Sequence, residues 1–473
     1  MENIINIINN SNILQNTPFF GCEVVLLFAF FVNMLLFLFC KRKSNTKKLS
    51  DFIVAIGFSI NILMCAFMYF LNTNNCQFKT YLSDFLYLNS EEMLLKAVIN
   101  AALLMFLFMN FKTIRQTFLK TPLINANLCM IGLFSCLMVQ INNDILTFFF
   151  LDLVVFFIYK YASLIKPKKD KFFSSDFLLL NVISSVIFYL TIIILKFNDS
   201  DSQITILNTV LFLAYFLKLG IFPGVNYFSI SNHKKNLPYL TLLSVYLPFL
   251  GVVGLVKIFN STILASDIFI MISIVFLSLA LFSVLILTLK TKNAPKFFAG
   301  VGVFFSIFVA INFLVSMNPY FSLKLASLYM SIMLSMFSLL MIFKINNKQE
   351  KLYFSAFRGV FLKNRMYAFF LSLNILFLFS VIPSALMTNS LFALKNIYSC
   401  DRFGYIVSFV FVFCYLLLLL KSFDLVLNCY NFDKNSKVKA FTKKTTSNYA
   451  VFFMVILFLV FVLIIDFLHY TGR

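Results

Sequence analysis

Apolar residues recur along this chain in runs of about 20, the length a helix needs to cross a bilayer core, with short polar stretches between them. The runs lie near residues 19–40, 52–71, 93–111, 123–140, 144–165, 177–195, 204–228, 238–259, 266–289, 297–316, 323–343, 366–394, 403–429 and 449–468. This pattern predicts an all-α polytopic membrane protein with about fourteen transmembrane helices. The joints near 141–144 and 316–323 are the shortest, and the boundaries are least sharp there.

Two of the runs are interrupted. Ile204–Phe228, ITILNTVLFLAYFLKLGIFPGVNYF, carries Lys218 in its middle, with Gly220, Pro223 and Gly224 just behind. A lysine near the bilayer centre costs about 2.5–3.5 kcal/mol even on lenient insertion scales, so it calls for a polar interior and a partner. Pro223 removes a backbone donor and the glycines loosen the helix. Broken backbone at membrane depth is tolerated only inside protein or along a wet cavity. Asn374–Tyr398, NILFLFSVIPSALMTNSLFALKNIY, repeats the design, with Pro383 mid-span and Lys395 beyond it. Two such segments in corresponding places of two halves point to a transport path. The competing reading of Lys218 is a lysine that snorkels from a helix end towards the polar loop after Phe228.

The loops orient the chain. KRKSNTKK, KTIRQTFLK, KPKKDK, HKK, KTKNAPK, KINNKQEK with RGVFLKNR, and DKNSKVKAFTKK occupy the odd-numbered loops, so most of the 39 Lys and Arg lie on one side; the alternate loops hold NDSDSQ, SDF and SEE. This positive-inside pattern puts the odd loops on the cytoplasmic or matrix side and both termini on the other. The net charge of +21 therefore reads as orientation and as attraction for anionic phospholipid, not as nucleic-acid binding. Composition agrees: 61% of residues are hydrophobic and 12% charged, against about 25% charged in ordinary globular domains. With no Trp in the chain, Tyr must supply the aromatic belt. The N-terminus, MENIINIINNSNILQNT, has no Lys or Arg and resembles neither a signal nor a transit peptide.

Site chemistry is sparse. The nine cysteines form no CxxC; Cys22, Cys40, Cys65 and Cys129 lie in or at the ends of apolar runs and read as buried thiols. Neither zinc nor an iron–sulfur centre is expected. No GxGxxG opens a helix, and GxxxxGK[ST] and HExxH are absent. His233 and His469 lie at membrane edges, and Ala299–Gly302 reads as a close helix contact. Asp152, in NNDILTFFFLDLVVFFIYKY, is the carboxylate in the core of the fifth run. One reading makes it a hydrogen-bonded packing residue. The other pairs it with an intramembrane lysine, Lys218 first, in a proton relay, because burial favours the neutral forms and mutual attraction restores both charges. Lys257, ending the eighth run, is expected to snorkel. Lys421 and Asp424, three apart, are expected to form a helical ion pair of structural role.

These stretches together resemble a known family: the antiporter-like, proton-translocating membrane subunits of NADH:ubiquinone oxidoreductase (complex I), its chain 2 in particular. FLKLGIFP (Phe216–Pro223) is similar to the family's F-K-L-G-x-x-P-F in its seventh helix. FRGVFLKNRMYAFFLSLNILFLFSVIP, from Phe357, resembles its L-x-G-L-x-x-R-N-P-x-x-A running on to S-L-x-G-I-P-P, and FALK (Phe392–Lys395) its F-x-x-K. DLVVFFIY (Asp152–Tyr159) is similar to E-L-x-x-x-x-x-Y, and LLSVYLPFLGVVGLVK (Leu242–Lys257) to F-L-S-V-x-S-K. The likeness covers most of Asn143–Lys395.

The resemblance implies two inverted five-helix repeats with broken helices. It divides the chain into an N-terminal three-helix segment (1–120), a first repeat (121–260), a second repeat (261–430) and a C-terminal helix (431–473). It makes Asp152, Lys218 and Lys395 the proton-relay residues, with Asp152 standing for the family's glutamate. Pro248 occupies the place of the eighth-helix relay lysine, and Lys296 lies nearest to a family arginine of the tenth helix, so the implied path lacks its central lysine. The implied role is that of a core membrane-arm subunit in redox-coupled proton translocation. No cofactor is expected in this chain; NADH, FMN, iron–sulfur clusters and ubiquinone belong to partner subunits. Its expected partners are other membrane-arm subunits, accessory subunits and phospholipids, in the mitochondrial inner membrane or a bacterial-type plasma membrane. Two other classes compete: a stand-alone cation/proton antiporter component, and a purely structural subunit.

The topology has a direct test. Protease tags on the two termini are expected to be cut only from the side opposite the basic loops. Termini on opposite sides would show that the number of crossings is odd.

Overall fold

A helix satisfies its own backbone hydrogen bonds, which makes it the form an apolar run must take where water is absent. The computed structural model describes residues 12–39, 44–73, 79–81, 86–88, 90–116, 121–141, 143–165, 172–197, 201–218, 237–262, 267–316, 353–363, 365–379, 381, 385–399 and 404–431. Each predicted run that falls on them is helical. The expected spans near 323–343 and 449–468 lie outside the described residues, as do Gly220, Pro223, Gly224 and Pro383.

The helices are α1 (Asn12–Phe39), α2 (Ser44–Thr73), α3 (Ser90–Gln116), α4 (Thr121–Gln140), α5 (Asp144–Ile165), α6 (Phe172–Phe197) and α7 (Asp201–Lys218). Next comes α8, built as Leu237–Thr241, a π-helical turn Leu242–Tyr246, and Leu247–Thr262. Then follow α9 (Asp267–Lys290), α10 (Ala294–Ser316), a 3₁₀ turn Phe354–Phe357, α11 (Val360–Lys363), α12 (Arg365–Leu378), α13 (Ala385–Tyr398) and α14 (Gly404–Tyr430). Among the described residues, seven helices are long and apolar enough to cross a membrane. The chain is an all-α polytopic membrane protein. The sequence reading did not foresee one small addition, an antiparallel hairpin of Lys79–Tyr81 with Leu86–Leu88, in which Thr80 faces Tyr87.

Side chains are arranged for lipid outside and polar groups within. On α6, Leu179, Val182, Val186, Leu190 and Ile193 are exposed, whereas Asn181, Ser184, Phe188 and Thr191 are buried. That spacing is one helical face of each kind, with the polar face turned inward. A chain with water around it would do the reverse.

The chain divides into two compact units, Met1–Lys168 with Lys257–Thr262, and Lys169–Val256 with Ile263–Arg473. In the first, α1 packs on α2 and α4, α2 on α3, and α4 on α5. The tight α4–α5 joint is made by Asn143, whose side chain accepts the Leu146 N–H at 3.2 Å and so caps α5. Asn293 caps α10 in the same way through Lys296 N–H, at 3.1 Å.

In the second unit, α10 is the central helix, packed on the π-helical turn of α8 and on α9, α13 and α14. Phe411 of α14 stacks on Phe304 and Phe308 of α10, with centroids 5.0 and 3.8 Å away. The second interrupted run divides as expected. α12 ends at Leu378, the turn after it closes with Val381 N–H donating to Leu376 O at 2.9 Å, and a new helix starts at Ala385. Gly359, at φ 68°, holds a left-handed conformation that glycine adopts without strain, and its N–H donates to Asn428 O at 3.0 Å.

The expected Lys421–Asp424 ion pair does not form; among the described residues no salt bridge joins them. Asp424 is exposed, while Lys421 turns the other way and donates to the carbonyls of Thr288 (3.4 Å), Leu289 and Thr291 (2.9 Å) at the C-terminal end of α9. It also lies 5.5 Å from the Phe297 ring centroid and 5.8 Å from that of Phe354. The physical reason is that the last carbonyls of a helix have no intrahelical donor and carry partial negative charge. A cation on them satisfies several acceptors at once, which an exposed carboxylate three residues away cannot match. Lys421→Met is therefore expected to destabilise the chain by about 1.5–3 kcal/mol, and Asp424→Asn by less than about 0.5 kcal/mol. Thermal unfolding in detergent measures both, and equal losses would restore the ion-pair reading.

Candidate functional site

The first interrupted run puts its lysine at a helix end. Helix α7 stops at Lys218, whose side chain is 0% exposed. The helix it faces is α6, which presents Asn181, Ser184 and Ser185 over one turn. Lys218 Nζ donates to Ser185 Oγ at 2.8 Å, and the Ser185 hydroxyl donates onward to Asn181 O, also at 2.8 Å. Ser184 Oγ donates to Ala214 O at 2.6 Å, one turn before the lysine. These serines sit mid-helix because each hydroxyl finds a backbone carbonyl to bond.

The neighbouring turn of α7 fixes the lysine's height. Tyr215, fully buried, donates its hydroxyl to Gly251 O of α8 at 2.8 Å. Phe212 packs on Phe216 with centroids 4.5 Å apart and edge-on against Phe269 of α9 at 5.9 Å. Aromatic packing on one side and a hydroxyl ladder on the other leave the ammonium in a narrow polar strip.

α8 carries the departure that the sequence pointed to. Pro248 is buried, one residue into the straight part of the helix after the π-helical turn. A proline there has no N–H for the carbonyl four residues back, and its ring would press on that carbonyl. The wider turn, in which Leu247 N–H donates to Leu242 O, takes up that misfit. So the position that the resemblance assigns to a relay lysine carries a proline after a π-helical turn. Ser244 in that turn bonds Leu240 O at 2.7 Å and supplies no free base.

The other two candidate residues stand elsewhere. Asp152 lies in the middle of α5, half-buried, in the first unit. Lys395 is in the last turn of α13, in the second unit, and is exposed. Among the described residues, Lys218 is joined to Ser185. The side chain of Lys257 lies outside the described residues, and Lys296 is half-buried in the first turn of α10.

Sequence reasoning missed a buried ion pair in the first unit. Lys96 Nζ of α3 donates to Glu23 Oε1 of α1 at 2.6 Å, with side chains 0% and 6% exposed. A signal was present: a single glutamate inside PFFGCEVVLLF, and Lys96 followed one turn later by Asn100 inside the apolar run 93–111. A second missed cluster joins Asn33, Ser50, Asp51 and Asn125, with Asn125 Nδ2 donating to both Ser50 Oγ and Asp51 Oδ1 at 2.8 Å.

The Lys218 contact has a direct test. Ser185→Ala removes the acceptor of a buried ammonium and is expected to cost about 1.5–3 kcal/mol; Ser185→Thr, which keeps the hydroxyl, is expected to restore most of it. Unfolding midpoints in detergent compare the two, and equal losses would show that the hydroxyl is not what holds the lysine.

No family model matches the chain, and no curated protein matches it. Solved structures do. A chain of respiratory complex I from Thermus thermophilus with bound aureothin aligns at a TM-score of 0.72 and 11% identity, over 95% of this chain and 98% of that one. A chain of the membrane-bound sulfane sulfur reductase, an archaeal respiratory membrane complex, aligns at 0.76 and 13%, over 93% of each. Complex I from Thermus thermophilus with bound NADH gives 0.66 and 11%, over 95% of this chain and 97% of that one. Near end to end, this chain shares the fold of a chain of respiratory complex I and of a chain of an archaeal respiratory membrane complex.

Proposed function

We propose that this chain is a core membrane-arm subunit of a respiratory NADH:ubiquinone oxidoreductase and contributes to redox-coupled proton translocation. The observation that carries this reading is the likeness of fold to a complex I chain over 95% of the sequence. The buried Lys218 at the end of a helix, on a strip of hydroxyls, supports it. In this reading the chain is organised as two antiporter-like repeats, 121–260 and 261–430, after a three-helix segment.

The relay groups are Asp152, Lys218 and Lys395. Lys218 gives up and regains a proton as the charge around it changes, with Ser185 as the neighbouring hydroxyl. Lys395, exposed on the chain's own surface, is completed by a neighbouring subunit, since a charge left facing lipid is costly. Pro248 leaves the path without its central lysine, so the protons that this chain moves must cross that stretch on water or through a neighbour. NADH, FMN, iron–sulfur clusters and ubiquinone are held by partner subunits, and electrons stay there. The partners are the other membrane-arm and accessory subunits, with phospholipid against the exposed apolar faces. The mitochondrial inner membrane is the proposed location, and a bacterial-type plasma membrane the alternative.

A second reading rests on the likeness to the chain of the sulfane sulfur reductase, at a TM-score of 0.76. The fold serves assemblies of different electron chemistry, so a cation/proton antiporter component with another partner, or with none, fits the same fold. Mild solubilisation followed by mass spectrometry of what co-migrates separates the readings. An assembly that oxidises NADH is expected, and in it Lys218→Met is expected to lower proton pumping per NADH oxidised without loss of assembly. Intact pumping would overturn the relay. Migration alone, or with antiporter-like chains only, would overturn membership and put cation transport first.

A further inference from the structure

The first unit holds a charged site that Asp152, Lys218 and Lys395 do not include. Glu23 and Lys96 meet at 2.6 Å inside α1–α4. Asn100, one turn beyond Lys96, donates to Lys96 O at 2.8 Å and to Cys136 Sγ of α4 at 3.4 Å. Asn61 of α2 donates to Cys22 O at 3.0 Å and to Asn100 Oδ1 at 3.4 Å. All four helices therefore supply polar groups to one place.

Those groups are incompletely satisfied. Glu23 Oε2 and Asn61 Oδ1 are buried with no hydrogen-bond partner among the described residues. Lys96 has three N–H donors, and Glu23 Oε1 takes one of them. A pair kept only for packing would be expected to saturate these atoms, because each orphan is costly where water is absent. A buried carboxylate oxygen without a donor, next to an ammonium with spare hydrogens, is a place for a mobile proton.

Gly132 of α4 faces Phe58, Leu103 and Leu26, and a Cβ built on it would lie 3.0, 3.1 and 3.4 Å from their side-chain carbons. These apolar side chains pack tightly at Gly132. Glu23 and Asn33 are ten residues apart on α1, about 15 Å along the axis, and Asn33 is the nearer of the two to the basic KRKSNTKK loop.

We propose that Glu23–Lys96 is a proton-exchange site of the N-terminal helices. In the resting pair Glu23 is a carboxylate and Lys96 an ammonium. A proton from a hydronium ion binds Glu23 Oε2, leaving water, a neutral carboxylic acid and the Lys96 ammonium, so the site gains one positive charge. Release reverses the step. The titratable groups that face it are Cys22 of α1, Cys65 of α2 and Cys136 of α4; Glu92, four residues before Lys96 on α3, is also buried. The two thiols Cys22 and Cys65 lie 3.3 Å apart and occupy each other.

Infrared difference spectroscopy across an acid pH step, on the solubilised native assembly containing this chain, tests the site. A protonated-carboxyl band is expected in the unaltered chain, lost in Glu23→Gln and moved in Glu23→Asp. The double variant Glu23→Gln/Lys96→Met removes both charges together and is expected to assemble, since a buried pair replaced as a whole is tolerated better than one left with a single charge. It is expected to lack the band and to take up one proton fewer per chain. If the band persists in Glu23→Gln or in the double variant, or if the unaltered chain shows none, the pair is a fixed structural contact and the proposal is overturned.

Discussion

Cations at membrane depth must be satisfied by protein, and much of the described packing follows from how three lysines meet that demand. Lys96 faces the carboxylate of Glu23, Lys218 the hydroxyl of Ser185, and Lys421 the carbonyl end of α9. Each choice ties two helices together: α1 with α3, α6 with α7, and α9 with α14. The acceptor differs in each case: a carboxylate, a hydroxyl and a set of peptide carbonyls.

Backbone irregularity follows a parallel logic. A helix can be broken within a membrane only if the freed donors and acceptors are met by protein. At Leu378 the turn closes on α12's own carbonyls, with Val381 N–H on Leu376 O. At Pro248 the preceding turn widens to the i→i+5 pattern. The end of α9 is met by Lys421 and by Phe354 N–H on Lys292 O just beyond it, at 3.1 Å. In each case the break lies beside side chains that a straight helix would not have placed there.

The fold was largely legible in the sequence, because a bilayer leaves little choice: an apolar run of the right length must be a helix. Helix limits matched closely where loops were polar and also at 141–144, where Asn143 caps α5 and lets the turn be short. The end of the helix at Leu378 was legible from the proline that follows in the sequence. The site was legible in part. Lys218 stood out because a lone charge in an apolar run has a visible cost, but Ser185 did not, since serine in a span is common and its partner lies 33 residues away. Glu23 and Lys96 escaped for a related reason. Each lies near the start of its run, where a charge reads as an end marker, and 73 residues separate them. The Lys421–Asp424 expectation failed because spacing on one helix says nothing about a stronger acceptor on another.

Pro248 is the sharpest constraint on any proton path through this fold. A lysine at that place would offer an exchangeable proton on a flexible stem; proline offers none and also removes its own N–H. The π-helical turn before it repairs the backbone but does not replace the base, since its serine bonds a carbonyl of its own helix. The Tyr215 hydroxyl, on the turn before Lys218, is committed to Gly251 O. The hydroxyls beside the buried lysine are thus committed to backbone carbonyls: Ser184 to Ala214 O, Ser185 to Asn181 O and Tyr215 to Gly251 O.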